Sequence, residues 1–295
     1  MKAQSSATVV ATVTANRASG LALGGLGVLA FSLSLPFTRV AVQQLDPWFV
    51  AFGRAVGAGL LAWAYLRLTG APRPTRSQWR RLSVVALGVV VGFPLFTSLA
   101  LTTQTSAHGA VVITVLPAMT AVFAVLRAGE RPPPLFWAAS AGGLLAVLAF
   151  LVASGAVRGA LTAADLFLLV AVVLCGLGYA EGGALARELG GARTICWALL
   201  LSLPVTVFVT LGAAWAHPPR ADLNAWAAFG YLTAVSMFLG FFAWYAGLAR
   251  AVSPGSARSS SPSRCSPCSG PRCCSARASP PPRWAPRSSC SPSSC

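Results

Sequence analysis

Apolar runs of about 20 residues recur along most of this 295-residue chain, separated by short polar interruptions. A helix of that length crosses about 30 Å of hydrocarbon. Its backbone satisfies its own hydrogen bonds, as lipid requires. The pattern predicts helices over 20–42, 47–66, 82–103, 107–126, 135–154, 164–186, 194–216 and 225–249. The expected fold is therefore all-α, a polytopic membrane helical bundle of about eight transmembrane helices. Charged residues make up only 9% of the chain, which suits such a bundle and rules out the domain arithmetic of a soluble protein.

The formal charge of +16 does not describe a nucleic-acid-binding face. Arg258, Arg264, Arg272, Arg277, Arg283 and Arg287 lie in a compositionally odd tail, and most other basic residues lie between apolar runs. With the N-terminus cytoplasmic, the inside segments hold Lys2, Arg17, Arg67, Arg73, Arg76, Arg80, Arg81, Arg127, Arg131, Arg187 and Arg193. The outside loops then hold Arg39, Arg158 and Arg220. The positive-inside rule thus predicts an N-in, multi-pass protein of the cell membrane. The first apolar run meets Pro36 and Arg39 rather than a small-residue cleavage site, so it is expected to be a retained helix and not a signal peptide.

Glycines four apart mark close-packing faces: Gly20 with Gly24, Gly53 with Gly57, Gly88 with Gly92, and Gly178 with Gly182. An internal repeat is also present. The segment from Trp79 to Ala110 aligns without gaps on the segment from Trp226 to Ala257, with Leu101 meeting Leu248. Each segment is the third helix of a unit of five. An odd number of spans inverts the second unit relative to the first, the inverted-repeat architecture of many transporters.

Pro36 to Arg39 closes the first helix, Asp46-Pro47 opens the second, and Arg54 follows early in it. Ala100-Leu101 precedes a small polar run, Pro117 interrupts the fourth helix, Gly129-Glu130 follows it, and Gly142-Gly143 lies in the fifth. In this order and spacing, residues 20–252 resemble the EamA-type branch of the drug/metabolite transporter superfamily. The resemblance implies a 5+5 inverted repeat and alternating access, rocking one repeat against the other to carry a small polar or amphipathic metabolite by efflux or exchange. On this reading residues 1–19 are a cytoplasmic N-terminal segment and 20–154 the first five-helix repeat. Residues 155–252 are a second repeat truncated to three helices.

Several residues are candidates for substrate binding or coupling. Arg54 lies about two turns into the second span, where an unpaired cation costs at least about 2.5 to 3.5 kcal/mol. It either caps carbonyls or anchors at the interface, or it meets an anionic substrate group. Glu181 lies near the end of the sixth span beside Gly178, Gly182 and Gly183. It is a candidate proton carrier, with pairing to Arg187 or another basic residue as the alternative. Tyr179, Trp197, Trp244 and Tyr245 are candidate cavity linings for a cationic or aromatic group, against interfacial belts and ordinary packing. His108 opens the fourth helix with Gln104 one turn away, a position where histidine is usually solvated.

The chain has no Ser/His/Asp set, HExxH motif or phosphate-binding glycine loop, and only six acids and two histidines. An enzyme is not expected, nor a cofactor or metal. Cys265-Ser-Pro-Cys268 lacks a second pair that would complete a metal site. The expected partners are a small-molecule substrate, protons as coupling ion, the lipid bilayer and a second copy in a homodimer. The alternatives are a membrane enzyme or scaffold, or an inactive transporter product.

That last alternative arises from residues 253–295, which contain no Val, Leu, Ile, Phe or Met and read as a disordered Ser/Pro/Arg/Cys-rich tail. The resemblance calls for a ninth and tenth helix there. A reading-frame shift near Arg250 to Pro254 in a GC-rich gene would account for the composition, with Cys273-Cys274 as leucine codons read one base late.

Overall fold

A computed structural model describes residues 18–128, 134–153 and 162–251, and all of its regular structure is helical. The expectations for the N-terminal segment before residue 18 and for the tail lie outside these residues. The described helices are α1 Ala18–Val42, α2 Pro47–Leu68, α3 Arg76–Ala100, α4 Ser106–Arg127, α5 Pro134–Ala153, α6 Ala163–Leu189, α7 Gly191–Ala216 and α8 Leu223–Arg250. All but α5 are long and apolar enough by themselves to cross a membrane, and α5 is a 20-residue helix without a charged residue. Large apolar side chains face outward along the spans, among them Leu26, Leu60, Leu87, Phe208 and Trp215. In water such a surface would aggregate; lipid is the solvent it fits. The chain is a multi-pass membrane helical bundle.

Local sequence sets the helix ends. Asp46 caps α2 by accepting from the backbone amides of Trp48 and Phe49, with Pro47 in the first turn, where it lacks an amide that would be unpaired anyway. Thr75 and Gln78 form a reciprocal capping box, so α3 begins at Arg76, six residues before the predicted Leu82. The prediction followed apolarity, whereas the helix starts at its cap and carries Arg80 and Arg81 inside its first turns. At its other end α3 stops at Ala100, because the Thr102 and Thr103 hydroxyls donate back to the Leu99 and Ala100 carbonyls.

Prolines shape the interiors. α1 opens into a turn at Leu33, three residues before Pro36, and α4 does the same at Thr114 and Val115 before Pro117. A proline ring displaces the carbonyl four residues upstream and supplies no donor to it. Two helices also contain a π-helical segment, Ala86–Gly92 in α3 and Leu232–Leu239 in α8. The first ends two residues before Pro94, whose missing amide removes one α-type bond there. Shifting Ala86–Gly92 by the 147 residues that separate Trp79 from Trp226 gives 233–239, within the second segment.

The packing is also paired. α2 lies along α7; α3 packs on α6 as α8 packs on α1; α2 touches α8 as α7 touches α3. Glycines permit the closest approaches. A Cβ on Gly88 would overlap the Leu174 carbonyl oxygen and come within 3.2 Å of Gly178, so the α3 and α6 backbones meet there. Gly53 and Gly57 face Phe229 and Thr233 of α8, and Gly247 of α8 lies against Gly24 of α1.

Candidate functional site

Helix direction alternates along the bundle, so two ends can be distinguished. At the first, the basic end, α2, α4, α6 and α8 finish and α3 and α7 begin; at the opposite end, α2, α4, α6 and α8 begin. Polar side chains inside the bundle gather in two groups, one toward each end.

At the basic end Glu181 is buried, with 7% of its side chain exposed, and each carboxylate oxygen meets a different arginine. Arg81 Nε of α3 lies 2.9 Å from Oε2, and Arg127 Nε at the end of α4 lies 2.9 Å from Oε1. Arg81 also reaches Glu188 Oε1 at 2.6 Å, and Gln78 Nε2 donates to Glu188 Oε2 at 3.2 Å. Charge-assisted hydrogen bonds of this length are among the stronger contacts a side chain makes. They join three helices, α3, α4 and α6, through one buried carboxylate. Of the two pairings weighed for Glu181, the partners are basic residues other than Arg187. Sequence reasoning counted Arg81 and Arg127 as loop charges because it began α3 too late and read α4 only for apolarity. The capping box at Thr75 was the available signal for Arg81.

At the opposite end His108 is not simply solvated. Its Nε2 lies 2.5 Å from Asp165 Oδ1, and 30% of its side chain is exposed. Asp165 is fixed by a second capping box, in which the Thr162 amide donates to Oδ2 at 2.8 Å. Gln104 does not lie within α4; it precedes the helix and donates from Nε2 to Thr162 Oγ1 at 3.2 Å. His108 and Gln104, both named from sequence, thus converge on the start of α6. Asp165 was missed, although Thr162-x-x-Asp165 is itself a capping signature.

Arg54 is buried, 3% exposed, on the face of α2 that also carries Val50 and Ala58 one turn to either side. Val50 belongs to an apolar cluster with Leu35, Leu101 and Leu232, whereas Ala58 belongs to a larger one with Leu82, Val90 and Phe241. Arg54 is therefore placed between two apolar layers. Among the described residues it makes no hydrogen bond or ion pair, and its Nε is buried without a partner. The helix segments packed around that level carry buried hydroxyls. Ser34 and Ser236 Oγ atoms lie 2.7 Å apart, Thr38 donates to the Ser34 carbonyl, and Ser98 Oγ is buried without a partner among the described residues.

The aromatic candidates divide. Tyr179 and Trp244 come together, ring centroids 5.5 Å apart, with Phe31 and Phe241 beside them. Trp244 also borders an apolar crevice of about 250 Å³ between α1 and α8, lined by Gly20, Gly24 and Gly247. Trp197 instead packs edge-on against Trp79, 5.5 Å between centroids. Tyr245 is fully buried and fills the space left by Gly182, its hydroxyl without a partner among the described residues. Cys175 and Cys196 are buried free thiols, and no three metal-ligating side chains come together among the described residues.

A family profile described as the EamA-like transporter family matches residues 18–152. The uncharacterized transporter YdeK of Bacillus subtilis is 46% identical over 230 residues, covering 77% of this chain and 78% of that one. An uncharacterized transporter of Archaeoglobus fulgidus is 24% identical over 235 residues, covering 77% and 79%. A solved crystal structure superposes with a TM-score of 0.58 at 19% identity over 79% of this chain and 80% of that one, a likeness of fold.

Proposed function

We propose that this chain, which belongs to the EamA-like transporter family, carries a small polar or amphipathic metabolite across the cell membrane by alternating access at the interface of two inverted repeats. Its family and its relatives' names indicate a transporter rather than an enzyme. A transporter of this family acts on a small solute and sits in a lipid bilayer.

The observation that carries the mechanism is the paired packing. Contacts of α3 on α6 and of α8 on α1 correspond under the Trp79 to Trp226 offset, and each third helix holds its π segment at the matching place. An inverted repeat needs this correspondence, since its two conformations exchange the roles of the two halves. π segments are rare and often mark positions where a helix changes shape.

The basic end, cytoplasmic in this reading, is closed by Arg81 and Arg127 on Glu181. Opening it separates α6 from α3 and α4 and exposes three charges to water, which repays part of the lost attraction. Protonation of Glu181 would release Arg127 and leave Arg81 on Glu188 alone, and that is where a coupled proton enters the cycle. His108 and Asp165 play the corresponding part at the opposite end.

The test compares a deletion strain with an overexpressing strain by profiling small solutes in cells and medium. Transport predicts at least one solute whose distribution shifts in opposite directions in the two strains. Identical profiles would sink the proposal.

A further inference from the structure

The acidic residues among the described ones leave Arg54 without a counter-ion. The chain contains six Asp and Glu in all. Asp46 caps its own helix and lies 3.6 Å from His217. Asp165 is held by His108 and Thr162, Glu181 by two arginines, Glu188 by Arg81 and Gln78, and Asp222 caps α8 at Ala225. Glu130, which follows α4 in the sequence, lies outside the described residues, and α4 itself finishes at the basic end. Arg54 is nearer the other end, seven residues or about 10 Å along α2 from Pro47. No described carboxylate neutralises it.

A buried cation without a partner is among the costliest arrangements in a membrane span and marks a functional position. The same end of the bundle holds a second unsatisfied group, the hydroxyl of Ser98, on the stretch of α3 that packs against α2. Both are donors, and both lack an acceptor among the described residues. Another arginine of that end, Arg39, is occupied, donating from Nη1 to the Leu101 and Thr102 carbonyls at 2.5 and 2.8 Å.

From this we infer that Arg54 binds the carboxylate group of a monoanionic solute, with Ser98 as an accompanying donor, so that the metabolite carried is an organic acid. The guanidinium fork matches a carboxylate with two parallel hydrogen bonds. A phosphate monoester, with a charge near −2, would bring a surplus negative charge to a level where one arginine is the sole free cation among the described residues. An amine would leave both donors unpaired. The inference rests on the transport reading for its substrate, but the binding site can be tested apart from it.

The experiment measures the melting temperature of the purified full chain in lipid nanodiscs. The probes are lactate, pyruvate and phenylacetate, each beside its amide, with inorganic phosphate as a further arm. The expected result is a rise with at least one carboxylate, no rise with the matching amide, and loss of the rise in Arg54→Gln. Ser98→Ala should weaken the same carboxylate about fivefold, the value of one hydrogen bond. Arg54→Met should melt higher than the parent without ligand, since it removes an unpaired charge; a carbonyl-capping arginine would give the reverse.

Equal responses to acid and amide, no response to any carboxylate, a response to phosphate alone, or a full response in Arg54→Gln would each overturn the inference. Where Arg54→Gln folds poorly, the acid-against-amide comparison on the parent chain decides. If the profiled strains move only neutral or cationic solutes, the carboxylate site falls and transport stands. If carboxylates bind at Arg54 and neither strain shifts a solute, transport falls and the site stands.

Discussion

Arg127 and Glu181 meet at 2.9 Å across α4 and α6, and the second oxygen of the same carboxylate meets Arg81 at the same distance. Removing the carboxylate therefore strands Arg127 and leaves Arg81 with Glu188 alone, whereas removing Arg127 leaves Arg81 in place. Glu181→Gln is expected to lower stability more than Arg127→Gln, by about 1 to 3 kcal/mol against about 1 or less, because Arg127 is half exposed and screened. Urea melts in mixed micelles measure both. Equal losses would mean that the carboxylate does not bridge the helices.

Glycine positions divide by what a methyl group would touch. Gly88→Ala should cost about 2 kcal/mol or more, since the neighbour it meets is the Leu174 carbonyl, which cannot swing away. Gly212→Ala has open space around it and should be neutral or gain a few tenths of a kcal/mol of helix propensity. Thermal melts of the two variants side by side check this, and a harmless Gly88→Ala would remove the close α3 to α6 approach.

Tyr245 and Gly182 make a linked pair. Gly182→Ala drives a methyl into the Tyr245 hydroxyl, which is fully buried and has no partner among the described residues. Tyr245→Phe should by itself be neutral or stabilising, since it deletes an unsatisfied group. In the double variant it should recover part of the Gly182→Ala loss. A double-mutant cycle by denaturant melts should give a coupling of about 1 kcal/mol or more, and strict additivity would refute the contact.

Asp222, just outside α8, accepts from the Ala225 amide, with Gln44 beside it, and these hydrogen bonds hold its carboxyl below the usual carboxylate range. A depressed value in the folded state means that the stabilisation is present above the unfolded value and is lost as pH falls through the folded one. Asp222→Asn should accordingly melt below the parent at neutral pH, and the gap should close in strong acid. A gap independent of pH would show that the charge is not what matters.

The membrane class, the number of spans and most of their limits were legible in the sequence because they depend on apolar length, which is local and additive. Arg54 and Glu181 stood out for the same reason, as charges in apolar surroundings. What each charge meets was not legible. Glu181 finds Arg81 and Arg127, 100 and 54 positions away along the chain. His108 finds Asp165 across the α4 to α6 contact. Such partners depend on how helices are rotated about their axes, which a repeating apolar pattern barely constrains when every face is apolar. The start of α3 was missed for a different reason, since its first turns are amphipathic and only the Thr75 to Gln78 cap reveals them.

The two carboxylates that tie helices together inside the bundle, Glu181 and Asp165, both belong to α6. At one end it is held by Gln104 and His108, at the other by Gln78, Arg81 and Arg127, so two helices from the front of the chain, α3 and α4, are fastened to one from the back. Inheritance and mechanics then divide this molecule along different lines. If the fold arose by copying a block of five helices, the group these ties fasten is nonetheless a hybrid, α3 and α4 from one copy and α6 from the other. A cut of the gene between the copies would pass straight through this fastened group, so two separately expressed halves should reassemble around α6.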